Sequence, residues 1–279
     1  MKTAVNNYQH LYGAIIGDIV GSTYEFGRQK DYDFYLFPFG CDITDDTILT
    51  VATAFAILDT GSRCTENDFA DAYYHFARKY PTPKGGYGAS FSQWVASKSF
   101  RPYFSMGNGC AMRVSPCAYA SGNLDICMEL ATQSATATHN HWQSVRAVQA
   151  LTFAIYYLNR ETSVVTIVKE LDSNYGFSRV KFYVDHPDLF DAYRNDYEYT
   201  ELVFPTVEGA LICALTATSF EDAIRRAVSL GGDADTLAAI AGSVAEARFQ
   251  IPADMIQTAN RHIPMQMKKV IENFNFKII

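Results

Sequence analysis

Apolar positions along this chain recur at helical spacing in one segment after another, and the strict alternation of a strand is scarce. Residues 11–23 read as a buried helix of small side chains, with Gly13, Gly17 and Gly21 four apart, so that one face admits a second helix closely. Residues 28–41 are an irregular aromatic connector. Residues 46–58 are apolar nearly all the way round, as in a helix buried within a larger helical body. Ser62 to Lys79 is amphipathic, with Phe69, Ala72, Tyr73 and Phe76 on one face; Thr65 would cap it, and Asp68 approximates a capping box. Residues 81–88 form a turn region, and Phe91 to Val95 a short helical piece. Further helices are expected at 125–136, 142–158, 206–217, 220–229, 254–261 and 265–274, with another opening at Asp235 as N-cap and Thr236. Residues 159–204 carry the least pattern: one short helix over 164–171, then irregular aromatic structure covering the core. With no repeat or long linker, the expectation is a single all-α domain over residues 1–279.

Composition narrows the class. Hydrophobic residues make up 48% and charged residues 19%, in keeping with a soluble globular protein that has a sizeable core. A net charge of −7 argues against a nucleic-acid partner. It would also repel an anionic diphosphate, unless metal ions or helix N-termini reverse the sign locally. The six cysteines show no CxxC spacing, and no signal peptide is evident, so reduced thiols and a cytoplasmic location are expected. The apolar run from Leu11 to Val20 is short and interrupted by Asp18, which suits neither a membrane span nor a signal segment.

Candidate chemistry concentrates in two acidic turns. Gly231-Gly232-Asp233-Ala234-Asp235-Thr236 places two carboxylates and a hydroxyl between a glycine pair and an apolar helix. Taken alone it fits a helix cap or a site for a hard cation equally well. It is not an EF-hand, since Ala238 and Val244 stand where that loop needs Gly and Glu. Asp42-Ile43-Thr44-Asp45-Asp46-Thr47 is a second such turn, and its adjacent aspartates repel unless screened. Together the turns would supply the oxygen-only shell that two Mg²⁺ ions prefer. Gly107-Asn108-Gly109 before an apolar run offers backbone N–H groups of the kind that receive phosphates, although an ordinary turn fits as well. His139 and His141 invite zinc, but no Cys or third His lies at zinc spacing.

These motifs, with Gly13-Ala-Ile-Ile-Gly-Asp18, Gly21 and Glu25, the run Met112-Arg113-Val114-Ser115-Pro116 and Thr138-His139, occur in an order that resembles the ADP-ribosylglycohydrolase family. The resemblance spans residues 13 to about 252. It implies a compact, mainly orthogonal multi-helix domain with a binuclear metal site, which hydrolyses the bond between ADP-ribose and a protein side chain, arginine foremost. Two Mg²⁺, with Mn²⁺ as a substitute, would be held by Thr44, Asp45 and Asp46 on one side and by Asp233 and Thr236 on the other, with Asp235 bridging. Asp45, Asp46, Asp235 and Glu25 would be catalytic. Glu25, Ser105, Gly107, Asn108, Gly109 and His139 would contact substrate, whereas Arg113 could instead pair with a buried carboxylate. Alternatives are serine-linked or small-molecule ADP-ribose conjugates, and an ADP-ribose-binding or immunity protein without turnover. Two residues depart from the family pattern: Ala234 where threonine is frequent, and Glu246 where small residues are common.

Overall fold

The computed structural model describes residues 9–277, so residues 1–8 and 278–279 of the expected 1–279 domain lie outside the described residues. The first helices are α1 (Tyr12–Gly21), α2 (Asp45–Thr60), α3 (Glu66–Lys79), α4 (Ala89–Ser97), α5 (Ser115–Tyr119), α6 (Leu124–Thr136) and α7 (Trp142–Leu158). They are followed by α8 (Val164–Tyr175), α9 (Ser178–Asp185), α10 (Phe190–Asp196) and α11 (Val203–Thr216). The last four are α12 (Phe220–Ser229), α13 (Ala234–Glu246), α14 (Ala253–His262) and α15 (Met265–Lys277). Among the described residues the only β feature is an isolated antiparallel bridge between Gly107 and Leu202. The fold is all-α, as expected.

At its centre α1 and α13 run antiparallel with their backbones nearly touching. A Cβ on Gly13 would overlap the carbonyl oxygen of Gly242; on Gly17 it would overlap that of Ala238, and on Gly21 that of Ala234. The glycine spacing of α1 therefore reads against Ala234, Ala238 and Gly242 in a fixed register. On the remaining faces Ile15, Ile16, Ile19 and Val20 are fully buried, as are Leu237, Ala241 and Val244 of α13. Burying each large aliphatic side chain contributes roughly 1.5–3 kcal/mol. Helices α11 and α12 pack against the other sides of α13.

Glu246, unexpected by the family pattern, has a clear task. From the end of α13 its carboxylate accepts the backbone N–H groups of Leu11, at 2.9 Å, and of Gly13. These donors at the start of α1 have no partner inside the helix. Burial pushes the Glu246 pKa up to about 7, against the opposing pull of the two backbone bonds. A glutamine amide would direct an N–H at one of these donors. Glu246→Gln is therefore expected to destabilise the protein by about 1–3 kcal/mol, measured by urea unfolding.

Three expectations need correction. The helix foreseen from Ser62 begins at Glu66, after a 3₁₀ turn over Gly61–Arg63. The expected capping box is present, with Thr65 N–H donating to Asp68 Oδ2 at 2.7 Å. The supposedly irregular stretch after residue 171 is helical: α8 continues to Tyr175, where Gly176 ends it at φ 81°, and α9 and α10 follow. Aromatic packing stabilises this region in place of a simple apolar stripe. Phe177 stacks on Phe204 at 4.2 Å between ring centroids, and Tyr183 meets Tyr193 at 4.7 Å. Finally, Asp235 is not the cap of α13; the helix starts at Ala234, with Asp233 in the N-cap position.

Candidate active site

Each acidic turn is held by a neighbour distant in sequence. Thr44 occupies the N-cap of α2 in extended backbone, and its Oγ1 accepts the Asp46 N–H at 3.2 Å. The same hydroxyl donates to Asp18 Oδ1 at 2.7 Å. Asp18, fully buried on α1, also accepts the N–H groups of Thr44 and Thr47, each at 3.0 Å. It is thus a satisfied carboxylate that fastens the first turn to the central helix. Burial raises its pKa to about 6 in spite of those bonds.

The second turn uses Gly231 at φ 67°, a left-handed conformation that suits glycine. Asp233 Oδ2 accepts the Asn108 side-chain amide at 2.7 Å, and Asp235 Oδ1 accepts the Thr236 N–H at 2.9 Å. Thr236 Oγ1 donates to Asp46 Oδ2 at 3.4 Å. Turns that lie 190 positions apart are therefore in direct contact. One carboxylate oxygen each from Glu25, Asp233 and Asp235 lies within 4.8 Å of the others.

The electrostatics are strongly one-sided. Burial first, and then Asp18, push Asp45 up to about 8. Glu25 rises to about 7 through burial and the charges of Asp233 and Glu201, with Lys84 in partial opposition. Asp46 and Asp235 are also raised well above the usual carboxylate range, again by burial and then by neighbouring carboxylates. Asp46 Oδ1 is buried with no hydrogen-bond partner. An orphaned carboxylate oxygen among mutually repelling acids, at two helix N-termini, fits divalent cations.

The cluster forms the floor of a cavity of about 510 Å³. Of the residues singled out from sequence, Glu25, Asp45, Asp46, Asp233, Asp235 and Thr236 line it, together with Ser105, Gly107, Asn108, Gly109 and His139. Thr44 stands behind the first turn and is not part of the lining. The glycine loop differs from its sequence reading. It leads into a 3₁₀ turn over Asn108–Cys110, and the next α-helix begins only at Ser115. The Gly107 N–H is taken by Ser105 Oγ at 3.0 Å and the Asn108 N–H by Glu201 O at 2.8 Å, so neither is free for a phosphate. The side-chain amide of Asn108 orients Asp233.

Arg113 pairs with no carboxylate among the described residues. It is fully buried, lies 3.8 Å over the Tyr73 ring and donates to Thr138 Oγ1 at 2.6 Å. His141 caps α7 by accepting the Gln143 N–H, a structural task. Sequence reading missed Glu201 and Tyr87, and placed Tyr199 only within aromatic structure covering the core. Tyr199 and Glu201 are joined at 2.9 Å on the cavity wall, which Tyr87 and the glycines at 85 and 86 also line. No local pattern marks them, because the wall exists only once distant segments meet. All six cysteines are free and buried, and no described helix is long and apolar enough to cross a membrane.

Helical fold, acidic floor and cavity together define a class. The sequence model of the ADP-ribosylglycohydrolase family matches residues 8–275, and the chain belongs to that family of hydrolases. It is similar to the ADP-ribosyl-[dinitrogen reductase] glycohydrolase of Rhodospirillum rubrum, with 23% identity over 284 residues, 93% of this chain and 92% of that protein. Among solved structures, an ADP-ribosylglycohydrolase-related protein complex shares the fold with a TM-score of 0.68 and 22% identity, covering 96% of each chain.

Proposed function

We propose that this protein is a divalent-metal-dependent hydrolase that removes ADP-ribose from modified protein side chains, arginine foremost. The observation that supports this most is the carboxylate floor with the orphaned Asp46 Oδ1. Asp45 and Asp46 would hold one Mg²⁺, with Thr44 behind them fixing the turn through Asp18 and the Asp46 N–H. Asp233 and Thr236 would hold a second, and Asp235 both, with Mn²⁺ as a substitute. Glu25, grouped with Asp233 and Asp235, is a further candidate ligand or base. Bound there, the cations would neutralise the cluster and supply Lewis acidity toward sugar oxygens.

The chain's own groups account for the remainder. In hydrolysis a water oxygen bonds to the anomeric carbon as the bond to the side-chain nitrogen breaks; one water proton passes to a carboxylate, which returns a proton to the departing nitrogen. Glu25 is half-buried and faces the cavity, as that proton acceptor must. The acidic wall of Glu25 and Glu201 favours a cationic guanidinium leaving group over a neutral serine hydroxyl.

Asp235→Asn is expected to lower Mg²⁺-dependent ADP-ribose release from an arginine-modified protein by about 10³-fold or more, roughly 4 kcal/mol of barrier. Circular dichroism would verify the fold. Unchanged release in that variant would reject the mechanism. A panel of arginine-, serine- and cysteine-linked substrates would assign the bond. Tight ADP-ribose binding without release from any of them would replace the hydrolase reading with a binding protein.

A further inference from the structure

One ammonium joins three segments that carry acidic groups of the cavity. Lys30 Nζ donates to the carbonyl oxygens of Arg194, Tyr197 and Leu230, each at 2.6 Å, which occupies all three of its N–H donors. Lys30 itself follows Glu25 along the connector. The carbonyls of Arg194 and Tyr197 close α10, and the chain runs on directly to Tyr199 and Glu201 on the cavity wall. Leu230 caps the C-terminal end of α12 and precedes the turn that presents Asp233 and Asp235. Carbonyls at helix ends lack intrahelical partners and carry partial negative charge, so an ammonium among them is well placed.

Close packing reinforces the same junction. A methyl on Gly231 would lie 3.1 Å from the carbonyl carbon of Arg28, from Gln29 O and from Lys30 Cε. One on Gly232 would meet Tyr197 Cε1 at 2.8 Å. Arg28 is left-handed at φ 48°, a state that a residue with a side chain keeps only where its surroundings hold it. Glu25 stands before this strained residue and Lys30 after it. We propose that Lys30 is a positioning residue, whose ammonium fixes the Glu25 segment, the Tyr199–Glu201 wall and the second acidic turn in one arrangement. It does not line the cavity. What the junction maintains is the grouping of Glu25 with Asp233 and Asp235 within 4.8 Å. That this grouping serves a cation rests on the proposed function; the junction does not.

Two measurements on Lys30→Met, which removes the donors and keeps a long side chain, separate these points. Hydrogen exchange of the ligand-free protein is expected to quicken about tenfold in residues 25–29, 197–202 and 231–236 together, with α3 and α6 unaltered. Calorimetry with Mn²⁺ is expected to show about a tenfold weaker affinity, the loss usual when a group that orients metal ligands is removed. Lys30→Arg should recover most of both, since Arg248 Nη1 of this chain already donates to the carbonyls of Ala214, Leu215 and Ala217. Exchange that quickens in the Lys30 segment alone, or evenly along the whole chain, overturns the proposal. So does a methionine variant with unaltered Mn²⁺ affinity. Should the unmodified protein bind no Mn²⁺, the functional reading fails, and the exchange pattern alone decides the junction.

Discussion

Gly17→Val is expected to remove the cooperative folded state at ambient temperature. A Cβ at this position would overlap the backbone carbonyl of Ala238, and Gly13 and Gly21 meet α13 equally closely on either side. Backbone cannot step aside as a flexible side chain does, so α1 and α13 would have to separate along their whole contact. Ordinary overpacking costs about 1–3 kcal/mol. Separating the two central helices also opens the interior around Ile15, Ile16, Leu237 and Ala241, all at most 1% exposed. The combined loss approaches the ~5–15 kcal/mol by which a domain is stable. Urea unfolding followed by circular dichroism would measure it. Gly17→Ala already places that Cβ against backbone, so it should lower the transition midpoint in the same direction, with valine lowering it further. A valine variant with an unshifted midpoint would show that the helix pair is not the keystone described here.

The second large effect is the response of stability to pH and divalent cations. In chelator, Asp18, Glu25 and Asp45 titrate near 6, 7 and 8, all above their ordinary values. A carboxyl whose folded pKa is raised contributes stability that is fully present below its unfolded pKa and lost as pH climbs through the folded one. The chelated protein should therefore lose stability as pH rises from about 4 to about 8, the window those shifts define. Cations that bind the folded cluster reverse the trend, since they compete with protons for the same oxygens. At 100 times the dissociation constant one bound ion adds about 2.7 kcal/mol, and the melting midpoint should rise by roughly 5–10 °C. Differential scanning fluorimetry with Mg²⁺ or Mn²⁺ should show a larger rise at alkaline than at acid pH. A midpoint that climbs with pH in chelator and ignores both ions would remove the basis for a metal centre.

Much of this was legible in the sequence wherever physics is local. The four-residue spacing of Gly13, Gly17 and Gly21 announced a close helix contact, and paired aspartates in uncharged surroundings announced the two turns. Asp18 stood out as a charge interrupting the apolar run of α1; it is a satisfied carboxylate whose grip on Thr44 and Thr47 crosses from α1 to α2 and leaves no local trace. Asn108 lines the cavity as a loop residue facing ligand would, and its amide also holds Asp233, 125 positions away, which no local pattern marks. The helices after residue 175 were hidden for another reason. Their stability comes from ring-on-ring contacts and from Lys30, whose ammonium donates to the carbonyls of Arg194, Tyr197 and Leu230, each at 2.6 Å. Neither device produces a periodic apolar stripe. Glu201 and Tyr199 belong to the same class of residue, meaningful only once the far wall is in position.

The pairing of the earliest helix with one that starts at Ala234 also sets a timetable for biogenesis. At about 5–20 residues per second, the ribosome needs roughly 10–45 s after completing α1 to deliver its partner. Through that interval α2 can engage α1 through Asp18, but the glycine-lined face of α1 lacks its partner, and a nascent chain stopped anywhere before the last quarter cannot assemble the acidic floor. Chaperone occupancy early in translation, and abrupt protease resistance only near its end, are the behaviour this architecture dictates.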